Sequence, residues 1–206
     1  ACFEQAGTSL TLFADRNVDR FIFGWEMPAS MTQFFNPFFI ILFGSIFSVM
    51  WVKLSKIGKN PSIPLKFCFG IVQLALGFLL TQVGFQFVNE AYQVPILTLV
   101  FLYMLHTTGE LFLSPIGLSM VTKLSPKSMA GTAMGAWFLS FAIANYVGGK
   151  IAALTGGHGG GEVTSAEDGL LQYLDTFATI GYVLLAIAAL IFVLNKPIQK
   201  LMHGVE

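Results

Sequence analysis

Long apolar runs separated by short polar turns divide the chain into six segments. The first, Ala1 to Ala14, closes on the polar loop Asp15 to Arg20. The second runs from Pro28 to Leu54 and contains Asn36-Pro37. A lysine-rich turn with Gly58, Asn60, Pro61 and Pro64 as breakers leads to the third, Leu65 to Val88. The fourth is Val94 to Thr122, the fifth Ser128 to Leu154 and the sixth Leu170 to Leu194. A glycine-rich acidic loop, Thr155 to Gly169, separates the last two, and a short basic tail, Asn195 to Glu206, follows. A helix needs about 20 apolar residues to cross a hydrocarbon core of about 30 Å. The later runs meet that length, whereas Ala1 to Ala14 would rise only about 21 Å. The chain is therefore expected to begin inside its first transmembrane helix, as a fragment.

Composition agrees with six membrane helices. Of 206 residues, 55% are hydrophobic and 11% charged, with a mean hydropathy of +0.73. A soluble domain carries about 25% charged residues. The 21 glycines suit close helix packing in lipid. A net charge of zero gives no reason to expect a nucleic-acid partner. Cys2 and Cys68 lie in apolar segments without a CxxC motif, which reads as small buried hydrophobes rather than a metal site or disulfide.

Charge bias between alternate loops sets the orientation. Lys53, Lys56, Lys59, Lys66, Lys123, Lys127, Lys196 and Lys200 fall on one side. Arg16, Arg20 and Lys150 fall on the other, with most of the acids. The lysine-rich side, including the C-terminus, is expected to be cytoplasmic.

Two acids remain at bilayer depth, Glu4 and Glu110. A carboxylate there must be neutralised, paired or hydrated. On the fourth segment Thr107, Glu110, Ser114 and Gly117 recur at helical steps and share a face, with His106 four residues before Glu110. Pro115 removes one backbone donor and opposes the carbonyl of Leu111, which predicts a bend eased by Gly109 and Gly117. A polar face beside a bend suits a substrate cavity with a moving wall. The plainer alternative is a Glu110–Ser114 or Glu110–His106 pair that only joins helices. Burial disfavours the charged form of a carboxyl. A group that is neutral when dry and charged when wet can carry a proton or hold an ammonium.

Glu4-Gln5 allows the same reading. Asn36 offers a donor and an acceptor to a backbone-like ligand, or else serves the chain at a proline break. Gly131 and Gly135 form a GxxxG element whose ordinary role is helix packing. Trp137 lies mid-helix, where a cavity wall and simple packing are equally good readings. His158 stands alone in the glycine-rich loop.

Several stretches together resemble a known family: Phe3 to Ser9, Phe35 to Ile40, Gly109 to Lys123 and Gly131 to Asn145. They are similar to the C-terminal half of the proton-dependent oligopeptide transporters, of the major facilitator superfamily. The resemblance implies an all-α, six-transmembrane-helix bundle, helices seven to twelve of a twelve-helix protein. It also implies proton-coupled symport of di- and tripeptides across the cytoplasmic (inner) membrane by alternating access. By the same resemblance Glu110 meets the peptide's amino terminus beside Ser114, Glu4 and Glu110 serve proton coupling, Asn36 contacts the peptide backbone, and Trp137 lines the pocket. The implied partners are the peptide, the lipid bilayer and an N-terminal six-helix half carrying an ExxER motif. No cofactor beyond the coupling proton, and no enzymatic activity, is implied. The rival readings are a carrier for nitrate, a drug or an amino acid, an intramembrane enzyme using the buried acids, and a non-transporting half-molecule.

Overall fold

The computed structural model describes residues 1–155 and 165–202. Seven α-helices carry the fold: α1 (Ser9–Asn17), α2 (Phe35–Lys56), α3 (Ile63–Phe85), α4 (Ile96–Leu124), α5 (Ala130–Thr155), α6 (Ala166–Val193) and α7 (Asn195–Leu201). Among the described residues four helical stretches are long and apolar enough to cross a bilayer: Ala29–Lys56, Ile63–Phe85, Ile96–Leu124 and Ala166–Val193. α5 is also long, at 26 residues.

The centre of the bundle is α3, which packs on α4 along one side and on α6 along another. Gly70, Gly77 and Gly84 recur every seven residues and so line one stripe of α3. A Cβ added at Gly70 would lie 2.8 Å from the Gly109 carbonyl oxygen, and one at Gly109 would lie 2.7 Å from the Gly70 carbonyl oxygen. A Cβ at Gly77 would lie 2.5 Å from the His106 ring, and one at Gly84 2.5 Å from the Thr98 side chain. α3 and α4 are therefore as close as two helices can come, which is how apolar helices gain attraction where lipid offers no hydrophobic driving force. On the other side Gly181 admits Leu79, with a Cβ there only 2.7 Å from Leu79 Cγ. Leu74, Phe78, Leu102, Tyr103, Tyr173 and Phe177 fill the space around this stripe, with Leu10 and Phe13 of α1 completing the core.

One end of the bundle is tied by polar groups. Asn17 Nδ2 donates to the carbonyls of Tyr92 (3.3 Å) and Ala166 (3.4 Å), joining three connections. Beside it β1 (Val18–Asp19) pairs in parallel with β4 (Val94–Pro95). The Tyr92 phenol hydrogen-bonds the Glu167 carboxylate, which raises its pKa above the usual tyrosine range. A small antiparallel hairpin, β2 (Phe21–Ile22) with β3 (Trp25–Glu26), projects from the same end. Arg20 holds its base through Glu26 at 2.9 Å and Asp15 at 3.6 Å. At the other end the Lys66 ammonium is buried 4.9 Å from the Trp51 ring centroid, an aromatic face that favours a cation. The Cys68 thiol donates to the Ala188 carbonyl at 3.3 Å, so it packs as a small interior group.

Several expected boundaries move. The first segment is not one helix: Phe3–Gly7 is a 3-10 turn, and α1 starts only after Thr8, whose φ −127 and ψ −98 interrupt it. α1 also continues through Asn17, into the stretch expected to be loop. The second segment begins as a 3-10 helix, Ala29–Phe34, before α2. Pro37 then falls in the first turn of α2, where its missing N–H has no intrahelical partner to lose, so there is no mid-helix break. α4 runs as continuous helix through Pro115. The loop expected over 155–169 is shorter at both ends. Thr155 closes α5, and the Ser165 side chain caps α6 by accepting from the Asp168 backbone N–H, with Glu167 and Asp168 in the first turn. The rest of that loop, including His158, lies outside the described residues. The basic tail over 195–206 is helical in its first part, as α7.

Candidate functional site

Glu110 has a partner from another helix. Asn36, in the first turn of α2, donates from Nδ2 to Glu110 Oε2 at 3.1 Å and to Thr107 Oγ1 at 3.3 Å. Thr107 is fully buried, whereas Asn36 and Glu110 are half-buried. Neither pairing weighed for Glu110 within its own helix forms among the described residues. Ser114 is exposed on the same helix, one turn further on, beside exposed Pro115.

His106 turns the other way. Its ring packs on Phe78 of α3, with centroids 4.6 Å apart, and meets Phe3 edge-on at 6.4 Å. The space for it is the missing side chain of Gly77. Its Nε2 is buried with no hydrogen-bond partner. The contact with Phe3 also places the 3-10 turn carrying Glu4 against α4, one helical turn before Glu110. Glu4 itself is half-buried.

That turn is held by Gln5, which is fully buried. Its Nε2 donates to the carbonyls of Ala1 (3.1 Å) and Gly148 (3.2 Å), and its Oε1 accepts from Ser9 Oγ at 2.6 Å. All of its polar capacity goes into fixing the turn to α1 and α5. Sequence reasoning noted Gln5 only as a neighbour of Glu4.

Trp137, half-buried on α5, sits over Gly117 of α4, where an added Cβ would lie 2.6 Å from its ring. Gly117 and Gly109, expected as hinge positions, thus have a packing reason of their own. The GxxxG pair behaves differently from its expected packing role. A Cβ at Gly131 or Gly135 would meet nothing within 4 Å among the described residues, so neither glycine packs against another helix of this chain.

Residues 1–161 match the POT family (PTR2). This chain belongs to that family. Among curated relatives, a dipeptide and tripeptide permease A from Edwardsiella piscicida is 36% identical over 202 residues, spanning 98% of this chain and 40% of the relative. The peptide transporter YePEPT of Yersinia enterocolitica is 37% identical over 208 residues, spanning 100% of this chain and 39% of the relative. Among solved structures, a peptide transporter POT in complex with sulfate superposes with a TM-score of 0.83 at 31% identity, covering 98% of this chain and 38% of that one. A POT family transporter in complex with 5-aminolevulinic acid gives 0.78 at 28%, covering 96% of this chain and 38% of that one. The chain therefore spans about 40% of the length of the permease it matches. The family and the apolar helices together make this an integral membrane protein, all-α in its fold, and its relatives are named as transporters rather than enzymes.

Proposed function

We propose that the complete protein carries di- and tripeptides with protons across the cytoplasmic membrane by alternating access. This chain would supply helices seven to twelve and one wall of the cavity, with its C-terminus cytoplasmic. The observation that carries the reading is Glu110 held by Asn36 at 3.1 Å, half-exposed on a membrane-spanning helix, in a chain whose relatives are named as peptide permeases. A carboxylate in that position can meet an ammonium, and an amide beside it can meet a peptide bond. Because every peptide has these same groups, such a site tolerates varied side chains. Ser114 lies one turn beyond Glu110, and Trp137 packs two turns beyond it, where each can border the same ligand. Glu4, on the turn packed against α4, is the second proton site. Pro115 supplies the weak point in α4, where one backbone hydrogen bond is missing.

The test is Glu110→Gln in the complete protein, reconstituted in vesicles under an imposed proton gradient. Uptake of dialanine should be lost. Normal uptake at every pH would remove Glu110 from the centre of the reading. A second reading, a carrier for another small amine-bearing solute, has support from the structural relative that binds 5-aminolevulinic acid. Competition separates the two: dialanine should block uptake of labelled dipeptide where free alanine and 5-aminolevulinic acid do not.

A further inference from the structure

We infer that Thr107 is a positioning residue, which holds the Asn36 side chain beside Glu110, while the ionised carboxylate draws the amide nitrogen to itself and leaves the amide oxygen towards the open side of the site. The inference rests on the reading of Asn36 and Glu110 as ligand-binding groups. An amide side chain can be turned two ways about its last torsion, and its neighbours decide which. Here two acceptors lie on the α4 side, Thr107 Oγ1 at 3.3 Å and Glu110 Oε2 at 3.1 Å. The NH2 group has a hydrogen for each; the Thr107 hydroxyl could serve either end of the amide, but the ionised carboxylate only accepts, so Glu110 selects the orientation. In the flipped orientation the amide oxygen would face an ionised carboxylate, acceptor against acceptor.

Glu110 alone would favour that orientation only while it remains ionised. Once protonated, or once turned towards a ligand's ammonium, the carboxyl no longer holds the amide nitrogen. Thr107 is fully buried one helical turn before it and does neither. Its hydroxyl, able to accept from the amide nitrogen or donate to the amide oxygen, therefore keeps the Asn36 side chain in place while Glu110 changes partner. Among the described residues Asn36 Oδ1 has no partner, so it is left to accept an N–H from a ligand. The corner consequently presents two acceptors, Glu110 and Asn36 Oδ1. It suits a ligand that offers an ammonium with a second N–H donor close by.

The experiment compares Thr107→Val, nearly isosteric but without the hydroxyl, with Thr107→Ser, which keeps it. Both are measured in the complete protein by initial rates of dialanine uptake, each also in an Asn36→Ala background. The expected result is a KM raised about three- to tenfold in Thr107→Val with little change in kcat, the scale of one lost hydrogen bond. Thr107→Ser should restore KM, and in the Asn36→Ala background Thr107→Val should add nothing. A wild-type KM in Thr107→Val would overturn the inference. So would an increase that persists undiminished without Asn36, because a packing defect does not depend on the amide. Failure of the unsubstituted protein to take up dialanine would instead overturn the underlying peptide reading, and this inference with it.

Discussion

Asn36 and Glu110 are each visible in the sequence as costly polar groups in apolar surroundings. Their bond spans 74 positions, and no local pattern encodes a pairing at that distance. His106 shows the opposite difficulty. At four residues from Glu110 it satisfies the helical rule for contact, yet the opening left by Gly77 turns its ring towards α3. The signal that could have found this was the seven-residue spacing of Gly70, Gly77 and Gly84. The same geometry gives a prediction at single positions. Gly109→Ala places a methyl 2.7 Å from a backbone oxygen that cannot rotate away, so it should destabilise the purified protein by about 1–3 kcal/mol. Gly131→Ala, with open space around it, should be neutral or stabilise by up to about 1 kcal/mol. Thermal melting in detergent measures both, and equal losses of Tm would contradict the close α3–α4 approach.

At the level of elements, the second to sixth apolar runs each contain one long helix, α2 to α6, whereas the first is split into a 3-10 turn and the short α1. What apolarity could not locate was the chemistry of the ends. α6 starts earlier than its apolar run because Ser165 caps it, and α1 starts later than its own because Thr8 leaves the helical region. α4 shows that a proline need not interrupt the helix containing it. The absent hydrogen bond still weakens α4, and a proline inside a helix costs about 3 kcal/mol relative to alanine. Pro115→Ala should therefore raise Tm while slowing peptide uptake, since a stiffer helix bends less readily. An uptake rate unchanged by the substitution would exclude a moving role for this point. Gln5→Leu should act differently, leaving Ser9 and the Gly148 carbonyl without their bonds. That predicts a loss of about 1–3 kcal/mol, read as a lower Tm.

For the molecule as a whole, the lysine bias orders the two ends. The polar clamp around Asn17 and the lysine-rich turn between α2 and α3 lie at opposite ends of the bundle. Single cysteines at Gln93 and at Lys127, in a background lacking Cys2 and Cys68, should respond oppositely to a membrane-impermeant thiol reagent added outside intact cells. Gln93→Cys should label and Lys127→Cys should not; the reverse pattern would invert the proposed orientation. The family was legible from four short stretches, each of which sets polar residues into an apolar run. The free space around Gly131 and Gly135 was not legible, since a GxxxG pattern does not say which neighbour it awaits.

The contact between Gly70 and Gly109 has a mechanical consequence. From Thr98 to Gly109, α4 is pressed against α3 wherever a glycine of the α3 stripe meets it. Beyond Gly109 the contacts recorded at Gly70 and Gly117 come from side chains, namely Leu113, Trp137 and Phe67. Glu110 is the first residue past the backbone-to-backbone contact. From there to Leu124 the helix measures about 21 Å, and it is held by rotatable side chains, with Phe112 against Phe47, Trp51 and Phe69, and Trp137 over Gly117. Backbone-to-backbone contact thus gives way, at Glu110, to contact through side chains that can change rotamer.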